Sequence, residues 1–166
     1  MIESPVLTAA YALHMAATAV WIGALFSLAL LLPGSLRHVD GDVARGVQRR
    51  ALRRFLPLAW LCLAVFAATG LTQMSANPRY EGLLAIDNSW SIAILVKHIL
   101  VAAMAGLLAW QTWGLVPAMD RAALGLDPRG EPLRLRLERR AQMATTLSLT
   151  LGLLVLVLTA VARTTA

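Results

Sequence analysis

The chain has 166 residues, 58% of them apolar and only 14% charged, with a formal net charge of +6. An average soluble domain is about 45–50% apolar and about 25% charged, so an ordinary water-soluble domain is excluded at the outset. The basic excess does not mark a nucleic-acid surface. Six arginines (Arg37, Arg45, Arg49, Arg50, Arg53, Arg54) follow the first long apolar run and six more (Arg121, Arg129, Arg134, Arg136, Arg139, Arg140) follow the third, which is the positive-inside pattern of a multi-pass membrane protein.

A spanning helix takes roughly 20 apolar residues at about 1.5 Å each, and four runs qualify. The first, about 5–33, carries no Asp, Glu, Lys or Arg. Only four residues precede it, none of them basic, and it is longer than a signal-peptide core, so it reads as a retained span. It contains His14 and, two turns deeper on the same face, Trp21. The second span, about 55–77, opens near Pro57, expected in the first helical turn where a missing N–H costs little. It holds Cys62, a lone cysteine best read as a small core residue, and Thr69-Gly70. The third, about 89–119, is interrupted only by Lys97 and His98. The fourth, about 141–162, contains Gly152, and Leu133–Leu137 before it reads as lying at the inner interface. Pro78 suggests a turn in the short loop after the second span, and Asp127-Pro128-Arg129-Gly130 is a turn signal before the fourth. Trp90 at one face and Trp60, Trp110 and Trp113 at the other fit interfacial belts.

In hydrocarbon every backbone polar group must be bonded within its own segment, so the spans are helices. The expected fold is all-α: an integral membrane antiparallel four-helix bundle forming one domain over 1–166. Both termini lie outside, the Arg-rich segments 34–54 and 120–140 are cytoplasmic, and the membrane is the inner (cytoplasmic) one. The lipid bilayer is the first partner, with anionic headgroups at the basic face. A homo-oligomer is left open.

Two histidines carry the chemical interest; the third, His38, falls in the first Arg-rich segment and reads as solvated. His14 and His98 each start about 13 Å below the outer boundary, counted along their helices. Ionisable groups at such depth usually face the bundle interior. Either alone reads as a histidine bonded to a Ser or Thr across the bundle; the matched pair suggests a shared ligand. Gly70 and Gly152 lie near the same depth, where they would leave room for a flat macrocycle or simply allow close helix packing. Two axial imidazoles suit a b-type haem, with electrons exchanged with quinol or an external redox protein. Copper is the rival: Met15, Met74 and Met104 supply soft thioethers in the same part of the membrane. Lys97 costs on the order of 2.5–3.5 kcal/mol near mid-membrane. It would snorkel or pair with a haem propionate, a substrate carboxylate or Asp87. It stands about 100° around the helix from His98, so both can border one pocket without both pointing at one centre. Trp21 either floors that pocket or packs the core.

The runs His14 to Gly23 (HMAATAVWIG), Arg54-Phe55 with Thr69-Gly70-Leu71, and Ile94 to Leu100 (ILVKHIL) resemble the copper-resistance protein D (CopD-like) membrane family, over roughly residues 10 to 117. The span-one histidine with a span-three lysine is also similar to HemJ-type protoporphyrinogen oxidase, a b-haem membrane protein. These resemblances imply copper handling at the outer face or haem-supported redox work, with His14, Lys97 and His98 as the positions to carry over. No nucleophile, acid/base pair or nucleotide loop marks a stand-alone enzyme. The expected function is a small haem-b protein with His14 and His98 as axial ligands; the alternatives are a copper-binding or copper-uptake protein and a cofactor-free anchor or assembly subunit.

Overall fold

The structure, a computed structural model, describes residues 5–76, 89–125 and 130–164, the side chains of 89–91 and 161–164 excepted. The expected turns at Pro78 and Asp127-Pro128, the Trp90 side chain and Asp87 lie outside the described residues. All described elements are helices, and four of them are long and apolar enough to cross a membrane. The first runs over Pro5–Ser35 and the second over Gly41–Ser75. The third comprises Ser89–Trp110, a π-helical turn Gln111–Leu115 and Val116–Ala123. The fourth is Gly130–Thr164.

Helices two and four begin well before their apolar spans. At 35 residues each is about 52 Å long, against about 30 Å of hydrocarbon. Most of the arginines expected in loops therefore sit on helical overhangs. Asp40 starts the second helix as its N-cap, its carboxylate accepting from the N–H groups of Asp42 (3.0 Å) and Val43 (3.2 Å), which satisfies donors that no helical turn reaches. Pro57 lies inside this helix rather than in its first turn. The expectation failed because it equated the start of the helix with the start of the apolar run.

Helix one packs along helix two and helix three along helix four, and the contact between one and four joins the two hairpins. Helices two and three meet nearer the basic end, where the Trp60 indole N–H donates to Thr112 Oγ1 (3.1 Å) and Arg53 lies 3.3 Å from Asp120. Trp60 and Trp113 also stack there, with ring centroids 5.3 Å apart. Arg45 ties the overhangs of helices two and four together, 3.5 Å from Glu131 and 3.6 Å from Glu138. The core is a contiguous apolar cluster including Trp21, Leu25, Phe55, Ala59, Cys62 and Leu108. Leu61, Met143 and Val157 are more than half exposed on the outside, as lipid-facing side chains are in a bundle held by packing.

Helices one and three share an irregularity. Ser27–Leu31 is a π-helical turn followed by Pro33, and Gln111–Leu115 is another followed by Pro117. Both features, and the two membrane histidines, recur 84 residues apart. Proline has no N–H to offer the carbonyl four residues back. The carbonyl that Pro33 leaves open is Ala29's, and the Gln142 side chain of helix four donates to it at 2.8 Å. In a membrane interior this replacement is close to obligatory.

Candidate functional site

Helix one turns one stripe inward: Ala10, Ala17, Trp21, Leu25 and Ala29 are buried. His14 lies on that stripe between Ala10 and Ala17, half-buried against helix two. Its Nδ1 is 2.7 Å from Thr69 Oγ1. Thr69 has one hydroxyl proton, and it goes to the Val65 carbonyl at 2.6 Å. The Thr69 oxygen is therefore an acceptor for the imidazole, so His14 carries its proton on Nδ1 and keeps a lone pair on Nε2. A metal-binding histidine commonly donates its other ring N–H to a carboxylate, a carbonyl or a water that fixes the tautomer; here the acceptor is a hydroxyl oxygen, which a histidine bonded for packing uses equally. The expectation of a histidine bonded to a Ser or Thr across the bundle thus describes His14.

Two neighbours shape the space around the ring. The Phe66 ring lies 5.1 Å away, tilted by 56°. A Cβ on Gly70 would stand 4.0 Å from His14 Cε1, an ordinary contact distance, so the imidazole lies against helix two without needing a glycine there. Gly152 has a different use. A Cβ there would come within 2.7 Å of Ile22 Cδ1 and 3.7 Å of Met104 Cε. Side chains of helices one and three thus lie against Gly152, an arrangement of close small-residue helix packing. Trp21 is also core: it is 3% exposed, edge-on to Phe55 at 6.1 Å and tilted against Phe66 at 5.8 Å.

His98 has other surroundings. It is exposed, and its Nδ1 lies 2.7 Å from the Ile94 carbonyl of its own helix. The structure brings His14 together with Thr69 and Gly70; among the described residues it shows no such partner from another helix for His98. The inward stripe of helix three is Met104, Leu108, Gln111 and Leu115. Seven residues, about two turns, before Met104 stands Lys97; His98 is about 100° away. Lys97 is half-buried. At the sequence level Thr69 stood only beside Gly70 and in the family motif, not as the partner of His14. Its signal was a hydroxyl beside a glycine at the depth of a buried histidine.

Of the methionines, Met15 is 68% exposed, whereas Met74 and Met104 are 8% and 6% exposed. Among the described residues no three of His, Cys, Asp and Glu come together as a metal-binding group. The family model for copper resistance protein D matches residues 49–163. The match takes in helix four and stops short of helix one, where the His14 run lies. No curated protein and no solved structure matches the chain.

Proposed function

This chain belongs to the copper resistance protein D family, and on that premise we propose that it is a multi-pass membrane protein that binds copper as cargo in the outer half of the bilayer, with His14 as the contacting residue. The positive-inside rule, applied to the arginines of helices two and four, supports an inner-membrane orientation with those ends cytoplasmic and the His14 level toward the outer face. The observation that carries the reading is the chain of hydrogen bonds from His14 Nδ1 through Thr69 to the Val65 carbonyl. It leaves the Nε2 lone pair available, the form in which imidazole ligates a metal.

A bis-histidine haem gives way as the leading reading. His98 is turned onto its own helix, and Ile22 occupies the space beside Gly152.

The test is copper retention by the detergent-purified full chain. Protein loaded with cuprous ion under reducing conditions and desalted should keep copper in stoichiometric amount. His14→Ala should lose it and His98→Ala should keep it, with both variants monodisperse and helical. A wild-type protein that keeps no copper, or that emerges from haem-replete cells with a Soret band lost in His98→Ala, would overturn the proposal.

A further inference from the structure

The apolar run of helix four is bounded at its basic end by Arg139 and Arg140. There the surface of the helix opens into a cleft of about 500 Å³, lined by Arg139, Gln142, Met143, Thr146, Leu147 and Thr150. Clefts that hold small molecules are typically about 300–1,000 Å³. These six residues form one face of the helix, because positions three and four apart are neighbours on its surface. Met143 is 71% exposed and Leu147 47%, and Arg139, Thr146 and Thr150 are exposed with them. The cleft therefore faces the bilayer, not the core.

Length and charge decide what fits it. Arg139 and Thr150 are eleven residues apart, about 16 Å along the axis, which is half of a hydrocarbon core about 30 Å thick. An acyl chain of one leaflet covers that distance. At the wet end Arg139 stands beside Arg140, with Arg136 one turn before. The two acids of helix four are engaged elsewhere: Glu131 lies 3.3 Å from Arg134 and Glu138 lies 3.6 Å from Arg45. A phosphate headgroup supplies the negative charge this face lacks. A second copy of the chain is the rival occupant, since hydroxyls on a membrane helix also join helices. Two parallel copies related by a two-fold axis through this face would set Arg139 against Arg139, and those like charges repel.

We infer that this face of helix four is a site for an anionic phospholipid of the leaflet at the basic end, with its phosphate on the Arg139 guanidinium and one acyl chain along Met143 and Leu147 toward Thr150. Arginine grips phosphate through paired N–H donors. Arg136 and Arg140 add to the positive field there, which favours a headgroup of net negative charge over one that carries its own cation. Gln142, on the wall of the cleft, is also the residue that donates to the Ala29 carbonyl left open by Pro33. A chain laid along that wall keeps water from this bond, and a dry, low-dielectric surrounding strengthens it.

The experiment is native mass spectrometry of the detergent-purified full chain, titrated with phosphatidylglycerol or with phosphatidylcholine of identical acyl chains. The first phosphatidylglycerol should bind at least about fivefold more tightly than phosphatidylcholine, the worth of one arginine at an anionic surface. Arg139→Gln should abolish that preference, and Arg50→Gln, an exposed arginine of helix two, should keep it. Phosphatidylglycerol carrying a diazirine midway along its chain should label the stretch from Met143 to Thr150 in the wild type, a readout that needs no variant to fold. Equal binding of the two lipids, a preference lost as fully in Arg50→Gln as in Arg139→Gln, or label spread over all four helices would overturn the inference. A dimer that shields helix four from the label would overturn it in favour of a second copy.

Discussion

Replacing Thr69 with valine tests the hydrogen-bond argument at its narrowest point. Valine keeps the β-branched shape at a position only 7% exposed, so helix and packing are preserved while the acceptor for His14 Nδ1 is removed. The imidazole then has two courses. If it keeps its proton on Nδ1, a half-buried donor loses its partner, at a cost of about 1–3 kcal/mol in stability. If the proton moves to Nε2, the ligating lone pair is lost. Either course weakens copper binding, and substitutions of groups that orient a metal-binding histidine typically cost 10- to 100-fold in affinity, or about 1.4–2.8 kcal/mol. Competition against a chromophoric cuprous chelator in anaerobic detergent solution would measure it, with Thr69→Ser, which retains the hydroxyl, expected to bind as wild type does. Wild-type affinity in Thr69→Val, alongside lost binding in His14→Ala, would refute the claim that Thr69 sets the tautomer.

Two further substitutions probe other parts of the structure. Gln142→Leu strands the Ala29 carbonyl and should destabilise the bundle by about 1–3 kcal/mol in a reversible unfolding titration; Pro33→Ala restores the missing N–H, so in the double variant most of that loss should disappear, and simple additivity would contradict the account given for Pro33. Lys97→Met removes a half-buried positive charge from helix three and should strengthen Cu(I) binding, since like charges repel; unchanged affinity in the same competition assay would show that Lys97 does not act on the bound ion.

The four spans were legible because hydrocarbon imposes a length and an apolar composition that no other environment requires. The helix ends were not. Arginine reports contact with water or headgroups, but it does not report whether the backbone there is a loop or a helix. Reading 34–54 and 120–140 as loops hid the overhangs and misplaced Pro57. At the site, counting residues placed His14 and His98 at one depth, yet depth says nothing of azimuth. Lys97 and His98 are one residue apart, and only the buried stripe through Met104, Leu108 and Gln111 shows which of them faces inward. Gly70 and Gly152 looked alike in sequence; the difference between an imidazole and Ile22 as neighbour is a tertiary fact. The family resemblance was read from short motifs between residues 10 and 117, whereas the matched region, 49–163, takes in the fourth helix, whose apolar run holds no comparable motif.

The π-helical turn of helix one begins at Ser27, 13 residues and about 20 Å below His14. Everything between is uninterrupted α-helix. Helix one is thus a lever whose softest point is at its far end from the ligand. A bend of about 10° there, the kind of local deformation such turns accommodate, would swing the His14 level by about 3.5 Å. That arc is comparable to the width of an ion's coordination shell, so a disturbance arriving at the Ser35 end of the helix is mechanically placed to open or close a site near its other end.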